Sequence, residues 1–222
     1  LTVYTVIFSQ VFQARWGGSH QGRPMDFAIN LFAGLIVFNL FGECLSKAPT
    51  LISQNSNYVK KIIFPLEILG AATVGQACFN AAISLLILGS FQLVIDHQLH
   101  PTLLWIPWVW LPLLLLALTA TWLVSAAGVF VRDINQVIAA GLNLLMFVSP
   151  VFYNPSALPQ NLRPLLKLNP LTSIIEQTRR VCIEGLPPTA SYLLLALPAS
   201  LLTAELSLRL FQRLRRGFAD VL

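Results

Sequence analysis

Long apolar blocks run along this chain, separated by short polar breaks. Six can be read, at residues 1–14, 27–45, 66–95, 111–131, 137–152 and 192–211. An α-helix needs about 20 apolar residues to cross a bilayer. Each block must be helical, because lipid cannot satisfy exposed backbone N–H and C=O groups. The pattern therefore predicts an all-α integral membrane protein of six transmembrane helices, the first truncated. Leu1 to Ala14 is too short to cross. It also lacks the basic region and small-residue cleavage site of a signal peptide, so it reads as the end of a helix that begins upstream.

The breaks carry their own signals. Gly17-Gly18-Ser19-His20-Gln21-Gly22 is a polar turn. Pro65 suits the first turn of the third helix. Pro107 and Pro112 interrupt the start of the run that begins at Leu103, which places the spanning part at Leu111 to Val131. Trp105, Trp108 and Trp110 cluster there as interfacial anchors. Pro198 predicts a kink in the last helix.

Composition supports the membrane reading. Of 222 residues 56% are hydrophobic and 10% charged, against roughly 25% charged in a soluble domain. The mean hydropathy is +0.72. A net charge of +5 raises the question of nucleic acid. The basic residues, however, sit at the ends of apolar blocks, where they meet headgroups and set orientation; nucleic-acid binding is not expected. With the C-terminus inside, the inner side holds Lys47, Lys60, Lys61, Arg132, Arg209, Arg213, Arg215 and Arg216. The outer side then holds Arg15, Arg23, Arg163, Lys167, Arg179 and Arg180.

Catalytic motifs are missing. The sequence has no Walker A signature, no GxSxG and no HExxH. Cys44, Cys78 and Cys182 are too far apart for a metal set and read as small buried hydrophobes. His97 and His100 flank a solvated turn. Glu43, Glu67 and Glu205 lie in or near apolar blocks, where charge is costly. Glu67 falls in a first helical turn, where the dipole favours an anion. All three read as structural.

Two segments between the blocks are informative. Ser149 to Ser191 contains seven prolines, so no single helix runs through it. Leu158, Leu162, Leu165 and Leu166 suit one short helix. After Asn169 as N-cap and Pro170 at the first position, Leu171, Ile174, Ile175, Val181 and Cys182 stripe a second. Glu176, Arg179 and Arg180 are placed opposite that stripe. This pair either dips into the outer leaflet or covers the outer face as a solvated loop. In Ser46 to Lys61, Leu51, Ile52, Tyr58 and Val59 can share one helical face. That helix would dock on a soluble partner or lie on headgroups.

The order of motifs resembles the ABC-2 type permeases that export O-antigen, capsule and teichoic-acid polymers. The residues carrying it are Phe41-Gly42-Glu43, the run from Asn57 through Lys60-Lys61 and Phe64-Pro65-Leu66-Glu67 to Leu69, and Arg132-Asp133. Ser149-Pro150-Val151-Phe152-Tyr153, Asn169-Pro170-Leu171-Thr172 and Phe218-Ala219-Asp220 follow in order.

The resemblance implies one ABC-2 transmembrane domain over 1–222 in the bacterial inner membrane. It implies a homodimer paired with two ATP-binding cassette subunits that bind ATP and Mg, this chain binding no cofactor. The cargo would be a lipid-linked, O-antigen-like polysaccharide; teichoic acid, capsule, a small molecule or a lipid is the alternative. In that reading 46–61 is the coupling-helix loop to the ATPase, using Leu51, Ile52, Gln54, Asn55 and Tyr58. The segment 153–190 carries two periplasmic gate helices, with Leu158, Leu162, Leu166, Ile174, Glu176 and Arg179. A sugar path needs weak, repeated contacts, which aromatic faces supply. Tyr4, Phe8, Phe12 and Trp16 recur every fourth residue, and Phe147, Phe152 and Tyr153 lie near the fifth block's outer end; these are the expected channel-lining rings. A membrane transferase or a passive channel are rival classes, but no acid–base pair or metal site supports the first.

Overall fold

In a computed structural model of the chain, residues 24–56, 65–96, 100–131, 133–155 and 163–218 are described. Among them there are helices and no strands. Four helices are long: α1 (Pro24–Lys47), α3 (Glu67–Asp96), α4 (Ile106–Phe130) and α8 (Ala190–Arg215). Four are short: α2 (Leu51–Gln54), α5 (Ile134–Val148), α6 (Arg163–Leu168) and α7 (Pro170–Cys182). Turns of 3₁₀ helix, Ala48–Thr50 and Pro101–Trp105, lead into α2 and α4.

The four long helices are apolar and long enough to cross a membrane. α5 is apolar but has only 15 residues, about 22 Å of helix against a ~30 Å hydrocarbon core. Among the described residues, four candidate spans and one short apolar helix therefore stand where six blocks were read. The block at 1–14 lies outside the described residues.

α4 corrects the proline reading. It begins at Ile106, not Leu111, and runs through Pro112. Pro107 falls in the first turn, where its missing N–H is not needed. Pro112 removes the bond to the carbonyl four residues earlier. One residue further on, the Tyr192 hydroxyl donates to the Val109 carbonyl at 2.8 Å. The tryptophans also divide: Trp105 and Trp108 are exposed, but Trp110 is buried. Its indole N–H donates to Thr178 Oγ1 at 3.2 Å. α8 also runs through Pro198 as one helix.

α1 is the core helix, apolar on all sides, with Leu31, Ala33, Val37, Leu40 and Cys44 buried against its neighbours. α4 and α8 pack through small residues. Ser200, Ala204 and Ser207 on α8, and Ala117, Thr121 and Ser125 on α4, are all buried. Small side chains bring helix backbones close where no hydrophobic effect drives association. Their hydroxyls donate to carbonyls of their own helix, as Thr121 does to Ala117 (2.7 Å) and Ser207 to Ala204 (2.8 Å). No hydroxyl of these pairs is left unmatched in an apolar setting.

The three glutamates of the apolar blocks are each paired. Glu43 accepts from Lys47 (2.7 Å) and Asn80 (3.0 Å). Glu205 accepts from Arg209 at 2.7 Å. Glu67 lies 3.3 Å from Arg215, which ties the start of α3 to the end of α8.

Candidate functional site

Two ends of the bundle carry the segments singled out in the sequence. One is a cap built from the Ser149–Tyr153 bend, α6 and α7. α7 starts as expected: the Leu171 N–H donates to Asn169 Oδ1 at 3.0 Å, and Pro170 occupies the first turn. Leu171, Ile174, Ile175, Val181 and Cys182 are buried. The same Asn169 donates through Nδ2 to Ser149 Oγ at 2.9 Å. Two motifs twenty residues apart thus meet in one contact.

Arg179 overturns an expectation. It was placed opposite the apolar stripe, yet it is only 4% exposed. Its Nε donates to the Asn30 carbonyl (3.0 Å), Nη1 to Pro150 O (2.8 Å) and Nη2 to Val151 O (2.9 Å). Those last two carbonyls lie in the bend beyond α5, outside any helix ladder. A planar guanidinium holds its donors in a rigid fork that spans these separated acceptors, whereas an ammonium concentrates its three donors at one point. Burial lowers its pKa to about 9, opposed by the Glu176 charge, so it stays cationic at neutral pH. Gly34 makes room for it, since a Cβ there would lie 2.8 Å from Arg179 Nη2. The spacing held the clue. Positions 175, 179 and 182 are one turn apart, so Arg179 flanks Ile175 and Cys182. Glu176 is exposed, as expected.

Further bonds fix α7 on its other sides. Gln92 Nε2 donates to Cys182 O (2.9 Å) and Thr102 Oγ1 to Val181 O (2.7 Å). At its end Gly185 adopts a positive φ of 65°, and a Cβ there would strike the His100 ring.

Of the expected aromatic rings, three come together beside this cap. Phe147 is 72% exposed, with its ring centroid 6.4 Å from that of Phe152. The Tyr153 hydroxyl donates back to Val148 O at 3.1 Å. Leu166 and Ile174 are buried. Tyr4, Phe8, Phe12, Trp16, Tyr58, Leu158 and Leu162 lie outside the described residues.

The opposite end is an elbow: α1, the 3₁₀ turn and α2 bend around the end of α4. The contact is close enough to demand glycine. A Cβ on Gly128 would lie 2.1 Å from the Pro49 carbonyl oxygen. Ile52 is 1% exposed and packs with Leu66, Val129, Phe211 and Phe218. Phe218 is edge-on to Phe211 (5.6 Å) and tilted against Phe130 (5.8 Å). Ile52, expected on a partner-facing surface, is therefore part of this chain's own core. Ser53 and Gln54 are exposed, and Leu51 and Asn55 are half-buried.

Residues 1–182 match the ABC-2 type transporter family. The chain belongs to that family. It is the membrane component of a transporter, and the permease is similar to curated relatives over nearly its whole length. One, the O-antigen export system permease protein RfbA of Myxococcus xanthus, is 26% identical over 99% of this chain and 82% of its own. Another, the protein of the same name in Klebsiella pneumoniae, is 21% identical over 89% of this chain and 76% of its own. The cap and most of the elbow fall inside the family match, but Phe211 and Phe218 lie beyond it. No group of three His, Cys, Asp or Glu residues able to hold a metal occurs among the described residues.

Proposed function

We propose that this permease is the membrane subunit of an ATP-driven exporter moving lipid-linked, O-antigen-like polysaccharide from the cytoplasm across the bacterial inner membrane. The similarity over 89–99% of the chain to proteins named O-antigen export permeases carries this reading. Two copies face each other around the polymer's path. Two separate ATP-binding cassette subunits hold ATP and Mg, and this chain holds neither.

The elbow end faces the cytoplasm in this reading, with Lys47, Arg213 and Arg216 on that side. Its Leu51–Gln54 turn takes up the motion of the ATPase through Ser53, Gln54 and the residues that follow, Tyr58 among them. The cap lies on the periplasmic side, with α6 and α7 as its gate helices. The rings of Phe147, Phe152 and Tyr153 offer faces to passing sugars.

Deleting the gene and staining surface polysaccharide in intact and permeabilised cells tests the proposal. Polymer retained inside and missing outside is the expected result. Normal surface polymer in a strain without a redundant exporter would overturn it and favour a small-molecule or lipid cargo.

A further inference from the structure

Among the described residues, the cations of the elbow end fall into two groups. Lys47, Arg209 and Arg215 each have a carboxylate within the chain: Glu43, Glu205 and Glu67. Arg213 and Arg216 are exposed and have no hydrogen bond or ion pair among the described residues. Arg213 in the last turn of α8 and Arg216, its C-cap, are three positions apart, so both lie on one side of the helix, about one turn apart. That side is not the one packed on α4, where Ser200, Ala204, Ser207 and Phe211 are buried. It continues the line of Leu202, Leu206 and Arg209, all exposed. Apolar side chains exposed on a candidate span face hydrocarbon, so this stripe passes from lipid tails to guanidinium groups along one helix face.

Length places the transition. α8 has 26 residues, about 39 Å, and the hydrocarbon core takes about 30 Å. A helix entering near Ala190 leaves that core about 20 residues later, near Leu210. Glu205 and Arg209 then sit just inside the boundary, where they neutralise each other. Arg213 and Arg216 sit just beyond it, at headgroup depth.

We propose that Arg213 and Arg216 bind the phosphodiester of an anionic bilayer phospholipid, whose chain lies along Leu202 and Leu206. Two guanidiniums one turn apart can share the phosphate oxygens between them. A zwitterionic headgroup carries its own cation and gains less. The site rests only on the helix and its membrane setting, not on what the permease transports.

The full chain in phosphatidylcholine nanodiscs, with spin-labelled phosphatidylglycerol or spin-labelled phosphatidylcholine as probe, provides the test. The immobilised fraction of each probe reports its relative association. Wild type is expected to prefer the anionic probe, and added salt should weaken that preference. Arg213→Gln with Arg216→Gln should reduce it roughly ten- to thirtyfold. The double Lys variant should keep most of it, and thermal stability should stay unchanged in both. Equal association of the two probes with wild type would overturn the proposal. So would a preference that survives the double Gln variant. Loss of a co-purifying ATPase in that variant, without any lipid preference in wild type, would assign the stripe to a protein partner and overturn it too.

Discussion

The cap and the elbow hold the same bundle together by opposite means. At the cap, side-chain hydrogen bonds from Arg179, Gln92, Thr102 and Trp110 join α7 to α1, α3, the 3₁₀ turn, α4 and the Ser149–Val151 bend. At the elbow, Ile52, Phe211, Phe218 and the Gly128–Pro49 contact join the 3₁₀ turn and α2 to α4 and α8 mainly by packing, with the Trp122 indole bond to the Glu67 carbonyl and the Glu67–Arg215 ion pair at the edge. Hydrogen bonds are directional and break when their partners slide. Apolar contact is non-directional and tolerates small shear between helices. The cap is therefore built to keep one geometry, and the elbow can shift without losing its contacts. In the proposed exporter, the compliant end is the one that meets the ATPase.

The sharpest way to break this contrast is Arg179→Met. It removes the charge and leaves the buried Pro150 and Val151 carbonyls, which lie outside any helix ladder, without their donors. Each buried carbonyl left without a donor costs about 1–3 kcal/mol. A large drop in the unfolding temperature of the detergent-purified permease is expected. Arg179→Lys should recover only part of it, because an ammonium lacks the fork that spans three acceptors. Full recovery by lysine would mean that charge alone holds the cap.

Arg179 also marks the limit of what local sequence pattern encodes. The helical spans were legible because lipid admits few backbone solutions, and the Asn169–Pro170 start was legible because its bonds are local. Arg179 was not, since its acceptors are carbonyls of Asn30 and of the 150–151 bend, positions that no local pattern joins to it. The elbow shows the same limit. The apolar character of Ile52 is local and suggests an outward anchor, whereas its partners, Phe211 and Phe218, lie more than 150 residues away along the chain. The prolines of α4 mislead in a different way: Pro107 falls in the first turn, where no N–H is needed, and Pro112 removes only one ladder bond.

At the elbow, Phe218→Ala should have the next largest effect. The ring is fully buried between Phe130 and Phe211, and emptying such a site costs about 3 kcal/mol. Gly128→Ala adds one methyl where none fits, and overpacking costs about 1–3 kcal/mol. The two variants separate packing from position. Phe218→Ala loosens the elbow without moving Pro49, whereas Gly128→Ala must displace the turn. If elbow position sets coupling, Gly128→Ala should lower export more than Phe218→Ala at equal protein level, despite its smaller loss of stability. Export falling in step with stability in both would remove position from the account.

The smallest effect is expected at Glu67 and Arg215. Their side chains are 15% and 35% exposed and 3.3 Å apart, and partly solvated pairs contribute about 0–1 kcal/mol. Glu67→Gln should shift unfolding slightly, and added salt should shrink the difference between variant and wild type. Exchanging the charges, Glu67→Arg with Arg215→Glu, adds a second cost, since a cation in the first turn of α3 opposes the helix dipole. The exchange should therefore recover less than the pairing alone predicts. A loss at Glu67→Gln as large as that at Arg179→Met would show the elbow to be held by directional bonds after all, and the contrast between the two ends would disappear.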